Sequence, residues 1–219
     1  ERLSDHLSEL ADRVVDLAIE LVWGILKQRF RERPRFAAIA YGRLGGKELG
    51  YASDLDLVFL FDDDDERAPE AYALLAQRLS GWVSARTAAG LLFEIDLRLR
   101  PNGAAGLLVS TVEAFAAYQR ESAWVWEHQA LTRARFAAGD RDIGERFEAI
   151  RRAALSQHRD TAKLRQEVLA MRRKMHDGHP NRSALFDLKH DRGGMVDIEF
   201  IVQYLVLAHA CERPELLDN

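Results

Sequence analysis

The sequence has a single cysteine, lacks long apolar runs and carries no large excess of either charge. Cys211 alone excludes an internal disulfide and any metal site built from several cysteines, which predicts a reducing, cytoplasmic location. No apolar run approaches the roughly 20 residues that a membrane span requires, and the charged N-terminus does not resemble a secretion signal. The formal net charge of −4 disfavours a nucleic-acid backbone as the main partner.

The composition is that of a globular domain with enough material for a core. The chain has 219 residues, of which 47% are hydrophobic and 30% are charged. It starts without Met and stops soon after an apolar segment. We therefore expect it to be a piece of a longer protein.

The N-terminal segment has apolar residues at alternating steps of four and three, which predicts a helix within residues 3–30. Its apolar positions are Leu3, Leu7, Leu10, Val14, Leu17 and Leu21. Six positions are too few to indicate a coiled coil, so a helix that packs on the next domain is the better prediction.

The middle of the chain predicts an α/β block. Strands are expected at residues 36–41, 54–61 and 91–99. Between the first two we expect a glycine turn at 42–46 and about one helical turn at 47–51. An acidic loop at 62–66 should precede a helix over 69–88, which Gly90 would cap.

After residue 111 no segment has a convincing strand pattern. A capping box at Ser110-Thr111-Val112-Glu113 predicts the start of a helix. Further helices are expected at 114–138, 143–155, 161–176 and 195–210. The predicted class is therefore α+β, with an N-terminal helix at 1–33, a catalytic domain at 34–138 and a helical domain at 139–219.

Two carboxylates interrupt the apolar second strand. Since alternate residues of a strand face opposite sides, Leu55 and Leu57 belong to the core face, and Asp54 and Asp56 share the other face. Their Cα atoms should lie about 7 Å apart, within reach of one cation. Without a cation each would raise the pKa of the other.

The third predicted strand also has one apolar and one charged face. Its apolar residues are Phe93, Ile95, Leu97 and Leu99, and its charged residues are Glu94, Asp96, Arg98 and Arg100. If this strand neighbours the second, Asp96 becomes a third ligand beside the first two aspartates. Arg98 and Arg100 would then hold phosphates or pair with the acids.

A glycine turn precedes the aspartates. Gly45, Gly46 and Ser53 can present backbone N–H groups and a hydroxyl to phosphate oxygens. The segment is neither a P-loop nor a dinucleotide-binding fingerprint. An isolated Asp-x-Asp is more often a turn or an ion pair, but three acids beside a glycine turn favour magnesium-dependent phosphoryl or nucleotidyl transfer.

Four stretches together resemble one known family. They are Gly42-x-Leu44-Gly45-Gly46-x-Glu48-Leu49-x-Tyr51-x-Ser53-Asp54-Leu55-Asp56-Leu57; Asp96-Leu97-Arg98-Leu99-Arg100-Pro101; Trp126-Glu127-x-x-Ala130-Leu131-x-Arg133-Ala134-Arg135; and Phe186-Asp187-x-Lys189 with Gly193-Gly194-x-x-Asp197-Ile198-Glu199-Phe200. The chain is thereby similar to the glutamine synthetase adenylyltransferases. These bifunctional bacterial enzymes attach AMP to a tyrosine of glutamine synthetase and remove it, which regulates nitrogen assimilation.

The resemblance implies a polymerase-β-like nucleotidyltransferase fold that uses ATP and Mg²⁺. It implies that Asp54 and Asp56 bind both metal ions, and that Asp96 binds the ion nearer the nucleophile and draws the proton from the tyrosine. Gly45, Gly46 and Ser53 would cradle the triphosphate. Glutamine synthetase is the implied protein substrate, and a PII-type signalling protein is an implied partner of the full-length enzyme.

Residues 103–109 and 124–131 look more like the half of the family that adds AMP. The alternatives are the phosphorolytic, AMP-removing half and a nucleotide-sensing or scaffolding module without activity. The charge of the chain disfavours template-dependent nucleic-acid polymerisation.

A second acid pair, Asp197 and Glu199, should lie in the first turn of a helix. An interaction with the helix dipole is therefore a better explanation for these acids than a shared metal ion. Lys189 and Asp197 remain candidate contacts to the nucleotide or the partner.

Overall fold

A computed structural model of the chain describes residues 2–218. The chain is α+β and divides into two compact units. The sheet unit comprises residues up to 122 together with 133–150, and the helical unit comprises 123–132 together with 151–218. None of the helices formed by residues 2–218 is long and apolar enough to cross a membrane.

The sheet unit contains seven strands among its described residues. Their bounds are β1 Phe36–Ala40, β2 Leu55–Phe61, β3 Arg86–Thr87, β4 Gly90–Leu91, β5 Ile95–Asp96, β6 Val109–Thr111 and β7 Arg135–Gly139. The main sheet has the order β5-β2-β1-β7, and β6 also pairs with β2. The strands β1 and β7 are antiparallel to their neighbours, while β5 and β6 run parallel to β2. A separate hairpin joins β3 and β4.

Within residues 2–218, eight α-helices complete the two units. Their bounds are α1 Arg2–Ile25, α2 Gly42–Gly45, α3 Ala68–Val83, α4 Val112–Glu121, α5 Val125–Leu131, α6 Arg141–Leu155, α7 Thr161–Gly178 and α8 Met195–His209. Thr111 caps α4, because its side chain accepts a hydrogen bond from the Ala114 N–H at 3.0 Å. The predicted helix start is therefore confirmed, but the N-cap is Thr111 and not Ser110.

The helix α1 exists as predicted, but its leucine-rich face is not its core face. Leu3, Leu10, Leu17 and Leu21 are each more than half exposed. The core face instead carries Ala11, Val15, Ile19, Val22 and Trp23. Small Ala11 and Ala18 let the helix approach β7 and α3 closely, so the buried stripe lies beside the predicted one.

Four predictions of secondary structure are wrong. Residues 47–51 do not form a helical turn, since Lys47 has a φ of +54°. The helix over 69–88 ends at Val83, and Gly90 lies in a hairpin with a φ of +111° rather than at a helix end. The third strand is regular only at Ile95–Asp96. The helix over 114–138 is replaced by α4, α5 and the strand β7.

The core of the sheet unit lies between α1, α3 and one face of the sheet. Its largest residues include Trp23, Tyr72, Phe36 and Phe59, all almost fully buried. The rings of Trp23 and Tyr72 stack with centroids 5.3 Å apart. This packing fixes β1 and β2, and therefore fixes the residues where β2 begins.

Candidate active site

The parallel pairing of β2 with β5 brings the predicted carboxylates together. Asp56 pairs in register with Asp96, and the Leu55 N–H donates to the carbonyl of Glu94 at 2.8 Å. Neighbouring strands lie about 4.8 Å apart, so these two side chains are neighbours. Asp54 comes two residues before Asp56, at the same end of the sheet. The expected adjacency of the second and third strands is therefore observed.

Burial and repulsion combine at Asp56. Burial of the side chain, followed by the charges of Asp54 and Asp96, raises the pKa of Asp56 to about 6. The guanidinium groups of Arg98 and Arg133 act in the opposite direction but do not cancel the effect. A bound divalent cation would relieve this repulsion, since carboxylates are the ligands that Mg²⁺ prefers.

Asp96 differs from Asp56 because it has an arginine partner. The Arg98 Nε donates to Asp96 Oδ2 at 2.8 Å, and the Arg98 backbone N–H donates to Oδ1 at 2.8 Å. These bonds hold the pKa of Asp96 below its usual value. Both oxygens face Arg98, and within residues 2–218 no three His, Cys, Asp or Glu side chains are arranged to hold a metal ion. The donor types fit Mg²⁺, and Arg98 has to turn away for Asp96 to take part.

Gly42 is a site residue that the strand pattern did not reveal. It has a φ of +53°, and a Cβ built on it would lie 2.0 Å from Asp56 Oδ2. Any larger residue at Gly42 would therefore displace the half-buried carboxylate of Asp56 as well as strain the backbone. In the sequence, Gly42 stands out as the first glycine of the family motif, but the motif alone does not indicate its role.

Gly45 and Gly46 lie in and just after the short helix α2, and both are close to Arg133. A Cβ on Gly45 would lie 2.2 Å from the Arg133 carbonyl oxygen, and one on Gly46 would lie 3.0 Å from Arg133 Nε. Nearby, Arg135 donates to the Leu44 carbonyl at 3.0 Å and pairs with Asp12 at 2.8 Å. The turn is thus held by the start of β7, a strand absent from the sequence prediction.

The other predicted nucleotide contacts have local roles in this structure. The Ser53 hydroxyl accepts a hydrogen bond from the Gly50 N–H at 3.0 Å. Arg100 donates to the carbonyls of Leu97 at 2.6 Å and Ala104 at 2.9 Å. Both residues shape the loops beside the carboxylates. The Arg98 side chain is 80% exposed, so solvent rather than protein surrounds most of it.

Lys189 and the acid pair Asp197 and Glu199 belong to the helical unit. The Lys189 side chain is exposed, and its backbone N–H donates to Asp187 at 2.8 Å. Asp197 lies in the first turn of α8, where it accepts from the Gly193 N–H at 2.6 Å and pairs with Arg172 at 2.5 Å. These bonds lower the pKa of Asp197, as expected for an acid at a helix N-terminus.

Comparison with known proteins adds independent support for a family. Residues 1–150 match the model of the glutamate-ammonia ligase adenylyltransferase family. Bifunctional glutamine synthetase adenylyltransferase/adenylyl-removing enzymes match the whole chain, with 64% identity in Aromatoleum aromaticum, 64% in Ralstonia nicotianae and 59% in Nitrosomonas europaea. The chain spans only about a quarter of these relatives, between 23% and 24% of their length. The chain belongs to the glutamate-ammonia ligase adenylyltransferase family.

Proposed function

We propose that the chain transfers AMP from ATP to a tyrosine of glutamine synthetase and releases pyrophosphate. The observation that carries this proposal is the in-register pairing of Asp56 with Asp96, which adds a third carboxylate to Asp54 and Asp56 at one end of a buried sheet. Such an arrangement suits the polymerase-β-like nucleotidyltransferase fold. The names of the relatives support the choice of reaction and of glutamine synthetase as substrate.

Asp54 and Asp56 would hold Mg²⁺, together with Asp96 once Arg98 has turned away. When bound, Mg²⁺ would neutralise phosphate charge and stabilise the charge that develops on the leaving pyrophosphate. Gly45, Gly46 and Ser53 would orient the triphosphate.

Asp96 would accept the proton of the tyrosine hydroxyl as the bond from the tyrosine oxygen to the α-phosphorus forms. The bond from the α-phosphorus to the bridging oxygen then breaks, and its electrons leave with pyrophosphate. Arg98 has two tasks in this scheme. Paired with Asp96 it keeps the carboxylate ionised, and released from Asp96 it can bind phosphate.

Incubation of the chain with ATP, Mg²⁺ and unmodified glutamine synthetase tests this proposal. We expect AMP to appear on the tyrosine, detected by intact mass, and we expect no product with Asp56→Ala or with a chelator. A folded chain that leaves glutamine synthetase unmodified would contradict the proposal.

A second assay distinguishes the AMP-removing reaction from the AMP-adding reaction. Adenylylated glutamine synthetase and phosphate are supplied without ATP, and loss of AMP is measured. A chain that only removes AMP would identify it as the opposite half of the enzyme. In the full-length enzyme, a PII-type protein is the proposed regulator of this balance.

A further inference from the structure

The basic residue Arg133 lies at the same end of the sheet as the carboxylates. Ala40 of β1 pairs with Leu57 of β2 on one side and with Arg135 of β7 on the other. The two strands that flank β1, β2 and β7, run antiparallel to it, so both begin at this end of the sheet. Asp56, the second residue of β2, and Arg133, two residues before β7, therefore share the end of the sheet at which the glycine turn lies.

Arg133 fills the space that the two turn glycines leave open. The nearest atoms to a Cβ built on Gly45 include the Arg133 carbonyl oxygen at 2.2 Å, and those to a Cβ on Gly46 include Arg133 Nε at 3.0 Å. A side chain at either position would push Arg133 away. The glycines thus bring a guanidinium against the turn, in addition to any backbone groups that they expose.

The guanidinium of Arg133 is paired with Glu48, which follows the turn. The Arg133 side chain is only 19% exposed, whereas the Glu48 side chain is 60% exposed. An exposed carboxylate is a weak and exchangeable partner, while the arginine is held in place by its surroundings. The positive charge of Arg133 also reaches Asp56, where it opposes the effect of the other carboxylates on the pKa.

We propose that Arg133 binds the phosphates of the nucleotide at the glycine turn, and that Glu48 holds its guanidinium until a polyphosphate displaces it. This inference rests on the proposed function. The turn lacks the Lys-Ser/Thr ending of a P-loop, since Glu48 follows Lys47. A planar guanidinium supplies two parallel donors to phosphate oxygens. The ligand class is the polyphosphate of a nucleoside triphosphate, or pyrophosphate in the reverse direction.

The test compares Arg133→Gln, Glu48→Gln and the surface control Arg78→Gln in the whole chain with Mg²⁺. Calorimetry measures ATP and pyrophosphate binding, and ligand-observed NMR measures adenosine binding. We expect Arg133→Gln to weaken ATP and pyrophosphate about 10- to 100-fold, the loss of a charge-assisted pair, with adenosine binding unchanged. Glu48→Gln should bind ATP at least as tightly as the wild type, and the control should match it.

The outcomes separate this inference from the proposed function. If the wild type binds ATP and Arg133→Gln binds it within twofold, Arg133 is not a phosphate ligand and only the inference fails. If Arg133→Gln loses adenosine as strongly as ATP, its role is structural and the inference also fails. If Arg133→Gln does not fold, Arg133→Lys takes its place. Because lysine keeps the charge but lacks the paired donors, we expect its pyrophosphate affinity to fall below that of the wild type and of Arg78→Gln, and an affinity equal to theirs overturns the inference. A folded wild type that binds no ATP overturns both proposals.

Discussion

The acid-x-acid pairs Asp54/Asp56 and Asp197/Glu199 have opposite electrostatics. Asp54 and Asp56 lie at the start of a strand, where residues two apart share a face, and the pKa of Asp56 rises to about 6. Asp197 lies in the first turn of α8 and Glu199 just beyond it, on a helix where residues two apart diverge, and the pKa of Asp197 falls. The same spacing therefore marks a candidate metal site only where the backbone repeats every two residues.

The largest expected difference between the two pairs is in catalysis. Asp56→Asn removes a carboxylate that the other two cannot replace, so we expect kcat for adenylylation to fall at least about 1,000-fold. Asp197→Asn should leave kcat within a few-fold, because its bonds are local to the helical unit. Steady-state kinetics with glutamine synthetase measures both variants, and equal losses would remove the distinction between the two pairs.

Gly42 offers a smaller test that leaves all the carboxylates in place. Gly42→Ala would force Asp56 Oδ2 away from a Cβ that lies 2.0 Å from it. We expect kcat to fall about 100-fold through misplacement of the carboxylate, with a loss of about 1–2 kcal/mol in unfolding free energy from the positive φ. Kinetics and urea unfolding measure the two effects.

Gly81→Ala is the matched control, because a Cβ on Gly81 has no atom within 4 Å and α3 is a regular helix. It should retain full activity and gain about 0.5–1 kcal/mol of stability. Full activity in Gly42→Ala would show that Asp56 tolerates displacement, and the positioning role of Gly42 would then be wrong.

Much of the fold could be predicted where the local pattern was strong. The strand β2 was found because its first apolar residues alternate with acids, and α8 was found because its apolar run is long enough for a helix. The strand β7 was missed because Arg135–Gly139 has few residues that favour strands, and pairing with β1 imposes its conformation. The predicted core face of α1 was wrong for a similar reason: the helix packs closely on its neighbours through the face that contains alanines, and not through the leucine face.

The candidate site was predictable in its acids but not in their surroundings. The aspartates stand out because charge is unusual in a buried strand. Gly42 and Arg133 could not be assigned roles from the sequence, because their relation to Asp56 depends on how three strands register. Partners brought together by long-range pairing leave no local pattern to detect.

A stability measurement without divalent cations sharpens the contrast further. Asp56 has a folded-state pKa of about 6 against an ordinary value of 3.8, so ionisation costs stability in the folded state. We expect Asp56→Asn to be more stable than the wild type at pH 8 by about 1–3 kcal/mol in urea unfolding. The difference should shrink as the pH falls from 6 to 4, because Asp56 then takes up its proton in the folded state, and it should vanish below about pH 4, where Asp56 is protonated in both states.

Added Mg²⁺ should reverse this order by stabilising the wild type and not Asp56→Asn. An Asp56→Asn variant that is less stable than the wild type at pH 8 in chelator would show that the carboxylate is not strained by its neighbours.

Asp197→Asn should give the smallest effect and the opposite sign. The Gly193 N–H and Arg172 lower the folded-state pKa of Asp197, so its charge adds stability above the unfolded pKa. Because Asp197 is only half-buried and salt screens the pair, we expect the variant to lose less than about 1 kcal/mol at pH 7. The loss should fade as the pH drops below about 4, where the carboxylate of the wild type takes up its proton. Urea unfolding from pH 3 to 8 measures it, and a variant more stable than the wild type at pH 7 would place both acid pairs in one electrostatic class.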